Sequence, residues 1–138
     1  MKKIMVEYDV WLAKALVHLD YSYRKVLGRD PVVADMNEEE LETWEGLVSR
    51  FGRASDIFLS KVLRARVESQ DPGFRGSFRD LLNLAEKLGY IEAVAPWMRV
   101  RELGNLVVHE YAGESLNAEL RELASSVPLL LALRTSHP

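Results

Sequence analysis

Residues 37–65, NEEELETWEGLVSRFGRASDIFLSKVLRA, decide the fold, because apolar and small residues recur there at steps of three and four over about seven helical turns. Asn37 suits the N-cap, and Glu40 stands at the capping-box offset. The residues on the repeating face are Leu41, Trp44, Val48, Phe51, Ser55, Phe58, Val62 and Ala65. A helix of this length is suited to packing along partner helices in a bundle.

Two glycines, Gly46 and Gly52, lie inside this predicted helix. A glycine in a helix interior costs about 1 kcal/mol relative to alanine. We therefore expect another helix to approach closely at both positions.

The segments on either side of residues 37–65 also show helical patterns. Residues 4–27 carry apolar side chains at steps of three and four, and Gly28 and Pro31 end that helix. Further on, Ser77 with Asp80 predicts the start of a short helix, which Gly89 ends.

The last third of the chain predicts two more helices. Pro96 fits the first turn of one that runs toward Tyr111 and ends at Gly113. Ser115 opens the last helix, which we expect to be bent or interrupted at Pro128. No segment alternates as a strand does. The sequence thus predicts an all-α fold, an up-and-down bundle of four main helices plus a short helix, in a single domain over residues 1–138.

The composition narrows the class of protein. The chain has 138 residues, no cysteine and a formal net charge of −3. This negative net charge disfavours a strongly basic nucleic-acid binder. Closely spaced arginines such as Arg99 and Arg101 could still form a local basic patch. With no cysteine there is no disulfide framework or thiolate metal site, and no apolar run is long enough to cross a membrane. We expect a cytoplasmic protein without a metal or other cofactor.

Residues 101–111, RELGNLVVHEY, place polar side chains around an apolar centre. His109 could move a proton near neutral pH, although a single histidine at a helix end is more often solvated or hydrogen-bonded. Asn105, four residues earlier on the predicted helix, could orient the imidazole or touch a phosphate, or bond a neighbouring helix. Tyr111 could bind a ligand or be a surface aromatic residue.

Arg101 would lie about 12 Å along the predicted helix axis from His109. Its side chain would lean toward the helix N-terminus, away from that histidine. Arg101 could therefore assist His109 only from another subunit; otherwise we expect it to pair with a carboxylate or to line the rim of a cleft. Asp56 is expected to form an ion pair with Arg50 or Arg53.

This stretch resembles the signature of the HEPN superfamily, in its HepT-like branch, which is often R-N-x-x-x-H-x-Y. The matching residues here are Asn105, His109, Glu110 and Tyr111. The preceding SFRDLLNLAEKLGYIEAV and the RFGRASD of residues 50–56 are also similar to that branch, so the resemblance spans residues 41–112. One position departs from the pattern, because Gly104 stands where the motif arginine is expected.

The resemblance implies a homodimer in which the motifs of both chains meet in a cleft. It also implies a metal-independent ribonuclease toxin, paired with an MNT-type nucleotidyltransferase that adds AMP to the motif tyrosine, here Tyr111. On the same basis His109 and Asn105 are catalytic candidates, and RNA is a candidate ligand. Arg101 does not occupy the place of the motif arginine and is a third catalytic candidate only across a dimer cleft. Gly104 leaves two alternatives open: a weakened ribonuclease, or a non-catalytic module that docks a nucleotidyltransferase or binds nucleotide or RNA.

Overall fold

The computed structural model describes residues 2–108 and 113–135. Its first element, α1, spans Lys2–Val26 and buries the face that the sequence predicts, including Leu12, Leu16 and Leu19. The chain turns at Gly28, whose φ of +75° is a backbone conformation that favours glycine. The predicted end of this helix is therefore confirmed.

The long predicted helix is present and extends beyond residue 65. It consists of α2 (Glu38–Asp56), a π-helical segment (Ile57–Leu63) and α3 (Arg64–Gln70), without a break in helical backbone at either junction. At its start, the side chain of Asn37 accepts from the Glu40 amide, and the Glu40 side chain accepts from the Asn37 amide. We call this continuous helical stretch the long rod. Its predicted core-facing residues are buried, except for the partly buried Leu41.

The π-helical segment was not predicted. A π turn takes up more residues than an α turn, so it rotates the face that follows. In this segment Phe58 and Leu59, and again Val62 and Leu63, are buried as adjacent pairs. Phe58 packs on Trp97 in the core, with ring centroids 4.7 Å apart and the ring planes tilted by 43°.

Three shorter rods complete the chain: α4 (Phe78–Lys87), α5 (Val94–Leu103) and α6 (Glu114–Leu131), followed by a 3₁₀ turn (Ala132–Thr135). The predicted Ser77–Asp80 capping box opens α4, and Gly89 follows it with a φ of +85°. α6 continues through Pro128, so it is not interrupted there, which was one of the two outcomes that the sequence left open. That proline lies on the exposed side of the helix, where water can satisfy the carbonyl left without an amide partner.

The rods pack as an all-α bundle, as predicted, and no strand occurs in the described ranges. The most extensive packing joins α1 to α2, while α6 packs on α1, α2 and α5. No helix of the described ranges is long and apolar enough to cross a membrane. The five rods agree in number with the prediction, but α5 is as short as α4 because it ends at Leu103.

Gly46 and Gly52 received the same prediction and have different surroundings. A Cβ built on Gly52 would lie 2.7 Å from the carbonyl oxygen of Gly104, so a close approach is confirmed there. A Cβ on Gly46 would meet no atom within 4 Å, so the prediction was wrong at that position. Gly46 instead faces an open surface groove between α1 and α2.

Candidate functional site

The candidate site lies where α5 ends. The Gly104 amide still bonds the Val100 carbonyl at 2.8 Å, in the α-helical pattern. The next two amides, of Asn105 and Leu106, bond carbonyls only three residues back, at 3.2 and 3.1 Å. These tighter turns close the helix, so the prediction that it runs on to Tyr111 was wrong.

The early end of α5 has a physical cause in the residues that follow it. Gly104 and Asn105 are weak helix formers. After them, Leu106 and Val108 pack against the core whereas Val107 is 69% exposed, an alternation that an extended chain provides and a helix does not. Asn105 is consequently not one helical turn before His109, as the sequence had suggested.

Gly104 packs directly on α2. A Cβ built on it would lie 2.6 Å from the Ser55 hydroxyl oxygen, and that hydroxyl donates to the Gly52 carbonyl at 3.0 Å. Gly104 therefore lies in close contact with α2 of the same chain. The position that the motif arginine would occupy has no room for a side chain unless Ser55 moves.

A hollow of about 40 Å³ opens beside this contact. Its lining residues come from the middle of the long rod and the end of α5: Gly52, Ser55, Asp56, Leu59, Arg101, Gly104 and Asn105. The structure thus brings together two of the predicted site residues, Arg101 and Asn105. The amide nitrogen of Asn105 donates to the Arg101 carbonyl at 3.3 Å, which ties the two residues across the helix end.

Arg101 lies on the rim of the hollow, one of the positions that the sequence left open for it. Its guanidinium carbon lies 4.4 Å from the centre of the Phe78 ring, on the first residue of α4. It forms no ion pair with any described residue. Stacking of this kind holds the guanidinium plane while its edge remains able to donate hydrogen bonds to an anion.

The neighbouring arginine, Arg99, has a different role. It donates to both carboxylate oxygens of Glu122 on α6, at 2.7 Å each, and to Glu102 at 2.9 Å. The hydrogen bonds from Arg99 lower the pKa of Glu122, and those same bonds raise the pKa of Arg99. Arg99 therefore joins α5 to α6, which leaves Arg101 as the α5 arginine that faces the hollow.

Two lining residues, Ser55 and Asp56, were not recognised as part of a site from the sequence. Ser55 was predicted only to face the core, and the ion pair predicted for Asp56 is absent. Asp56 accepts a hydrogen bond from Ser60 at 2.9 Å, and Arg50 instead donates to the His18 carbonyl and the Ser22 hydroxyl. A signal was present in the sequence, because Gly52 and Gly104 are each a glycine inside a predicted helix.

His109, Glu110 and Tyr111 lie outside the described residues, so their predicted roles are carried by the sequence alone. The side chains that line the hollow supply a cation, an amide, a hydroxyl and a carboxylate. This set can hold a small polar or anionic group. None of these side-chain types ordinarily titrates near neutrality, so proton transfer at pH 7 would need another residue.

Comparison of the chain with protein-family models, curated proteins and solved structures finds no match.

Proposed function

We propose that this chain is a HepT-like HEPN protein, the toxin-type member of a toxin–antitoxin pair with an MNT-type nucleotidyltransferase, and that its ribonuclease site is weakened. The motif at residues 101–111 and the resemblance over residues 41–112 support the family. The contact between Gly104 and Ser55 supports the weakening, because it fills the place where the motif arginine would begin. This contact is the observation on which the proposal chiefly depends.

The reaction that the proposal implies uses the RNA's own 2′-hydroxyl. This oxygen attacks the adjacent phosphorus, the 5′-oxygen leaves and takes up a proton, and the products carry a 2′,3′-cyclic phosphate and a 5′-hydroxyl. His109 is the proposed proton donor and acceptor. Arg101, with its guanidinium held on Phe78, is the proposed phosphate ligand, and Asn105 lies next to it.

Without an arginine at position 104, one donor to the phosphorane oxygens is missing. Loss of one such preorganised donor typically costs about 10²–10³ in rate. We therefore propose slow cleavage by this chain.

The alternative is a non-catalytic HEPN module that docks a nucleotidyltransferase or binds nucleotide or RNA. One observation favours it. The Asn105 amide nitrogen already donates one of its two N–H groups to the Arg101 carbonyl.

In either form the proposal includes a homodimer and a nucleotidyltransferase partner. The partner would transfer AMP from ATP to Tyr111: the phenol oxygen attacks the α-phosphorus, the phenol proton is lost, and pyrophosphate leaves.

Expression of the chain alone and together with its proposed nucleotidyltransferase tests the proposal. We expect slowed growth and RNA breakage with the chain alone, relief with the partner, and neither effect with His109→Ala. Normal growth and intact RNA, combined with co-purification of the two proteins, would favour the binding module. Normal growth with no co-purification would contradict both forms.

A further inference from the structure

One helix, α1, carries most of the large apolar side chains that the chain leaves exposed. Of the ten such side chains among the described residues, six lie on α1. The inner face of this helix is already used, because Leu12, Leu16 and Leu19 are buried in the core. α1 therefore has a second apolar face that no described residue covers. An exposed apolar face of this kind marks a place where another molecule binds.

The exposed apolar residues include a narrow stripe along the outer side of α1. Val6, Val10, Ala13, Val17 and Tyr21 are all exposed and follow one another at steps of four, three, four and four residues. We call these five residues the α1 seam. Steps of four and three are those of the a and d positions of a coiled coil, and the seam extends about 22 Å along the helix axis. Such a seam packs against one other helix.

The α1 seam suits a protein helix better than a membrane surface. Helices that lie in a membrane surface present a broad apolar face with bulky side chains such as Trp, Phe and Leu. The seam is narrow and consists mainly of Val and Ala, which lose little side-chain entropy when they pack. The bulky Trp11 follows Val10 directly and so lies about 100° away from the seam around the helix.

Basic residues run along one side of the seam. Lys3, Lys14 and Lys25 stand at intervals of eleven residues, which is about three helical turns. None of the three forms an ion pair with a described residue, although Lys25 lies over the Tyr21 ring at 4.7 Å. Glu7 is the one acidic residue on this side of α1. An acidic surface on a partner would complement this side.

The other side of the seam has its acidic residues already paired inside the chain. Asp9 accepts from Arg66 at 3.1 Å, and Asp20 forms an ion pair with Arg24 at 3.2 Å. The charges of α1 that remain available to an outside partner are therefore mainly the lysines.

The same lysines disfavour a second copy of this chain as the occupant of the seam. In a parallel pair of α1 helices, each lysine would stand beside its equivalent. In an antiparallel pair centred on the seam, Lys3 would face Arg24 of the other copy, and Lys2 would face Lys25. Both arrangements bring like charges together, which opposes binding.

We infer that the α1 seam is the docking site for one amphipathic helix of a different protein. That helix has apolar residues at its a and d positions and acidic residues along the flank that meets Lys3 and Lys14. The inference goes beyond the proposed function, because it requires neither RNA cleavage nor AMP transfer.

Binding of two designed peptides to the purified chain, followed by fluorescence anisotropy, tests the inference. Both peptides have about 21 residues, three heptads, with Leu at the a and d positions; one carries Glu on the flanks and the other carries Lys. We expect one-to-one binding of the acidic peptide, at least about tenfold tighter than that of the basic peptide at low salt. The difference should shrink at about 1 M salt.

Variants of the chain assign the binding to the seam. Val10→Glu should weaken binding of the acidic peptide by at least about tenfold, because it places an unpaired carboxylate in the apolar contact. Trp11→Glu is the matched control: Trp11 and Val10 are each 47% exposed, but Trp11 lies off the seam, so the affinity should stay near that of the wild type. Lys3→Glu combined with Lys14→Glu should invert the preference, so that the basic peptide binds more tightly.

Failure of the acidic peptide to bind the wild type, or equal weakening by Val10→Glu and Trp11→Glu, would overturn the inference. A different occupant would overturn it too. The signs of one are a dimer of this chain that Val10→Glu dissociates, or adsorption to anionic phospholipid vesicles that Val10→Glu abolishes while neither peptide binds. Assays of RNA cleavage and AMP transfer on the same proteins report on the proposed function separately.

Discussion

Gly52 and Gly104 meet backbone to backbone: the carbonyl oxygen of Gly104 lies 2.7 Å from the point where a Cβ on Gly52 would stand. The end of α5 can therefore come this close to α2 only because both residues lack side chains. Ser55, one turn after Gly52, is the third residue of this contact. Its hydroxyl oxygen faces the point where a Cβ on Gly104 would stand and donates to the Gly52 carbonyl.

Gly52→Ala should destabilise the protein, because the new methyl group meets a backbone oxygen that cannot turn away. Overpacking of this kind typically costs about 1–3 kcal/mol. Gly46→Ala, six residues earlier in the same helix, is the matched control and should instead add up to about 1 kcal/mol, since its methyl group enters open space. Urea unfolding of both variants measures this. Equal effects of the two substitutions would contradict the account of the crossing.

Gly104→Ala should also destabilise the protein, and Ser55→Ala should relieve it. The Cβ at position 104 would lie 2.6 Å from the Ser55 hydroxyl oxygen, which can move only by giving up its bond to the Gly52 carbonyl. A double-mutant cycle by urea unfolding should give a coupling of about 0.5–3 kcal/mol between the two positions. Additive effects would show that the contact does not limit position 104.

Glu122→Gln should lower the free energy of unfolding at neutral pH by about 0.5–1 kcal/mol. This is the upper part of the range for exposed ion pairs, because the contact between Glu122 and Arg99 is bidentate. Bonds from Arg99 hold the pKa of Glu122 below its usual range, so the unfolded chain binds the proton more tightly. The contribution is therefore complete above the ordinary glutamate pKa of about 4.3 and is lost as the pH falls through the lowered folded pKa.

Unfolding free energies measured from pH 7 down to about pH 3 should show the wild type and Glu122→Gln converging. Glu45→Gln, on an exposed glutamate without an ion pair among the described residues, is the control and should run parallel to the wild type. A difference between wild type and Glu122→Gln that stays constant across this range would contradict the assignment.

Tyr111 should take up AMP when the chain is incubated with ATP and the proposed nucleotidyltransferase. The expected result is a mass increase of one AMP group in the intact protein, absent in Tyr111→Phe. Tyr21→Phe is the control, on an exposed tyrosine elsewhere in the chain. A mass increase that persists in Tyr111→Phe would refute the site.

The sequence predicted the helices well where local signals determine them. The capping boxes at Asn37 and Ser77, the turns at Gly28 and Gly89 and the buried face of α2 all depend on residues within one or two turns of each other. Such signals act in the same way whatever the rest of the chain does, so the sequence alone is enough to locate these helix ends and this buried face.

The features that the sequence did not predict depend on contacts between distant parts of the chain. Gly46 and Gly52 carry the same local signal, and only the distant Gly104 distinguishes them. The end of α5 depends on the burial of Leu106 and Val108 against other helices, which a helical spacing does not reveal. The π-helical segment contains no glycine or proline that would mark it in the sequence.

The most direct test of the central claim is single-turnover cleavage of RNA by the purified, unmodified chain. Position 104 limits the reaction in this account, so we predict slow cleavage that ends in a 2′,3′-cyclic phosphate and is lost in His109→Ala. The combination Ser55→Ala with Gly104→Arg should be faster by up to about 10²–10³, because it restores a donor and makes room for it. Rapid cleavage by the wild type, not accelerated by the combination of Ser55→Ala with Gly104→Arg, would contradict the claim, since it would show that the absence of an arginine at position 104 does not limit the reaction.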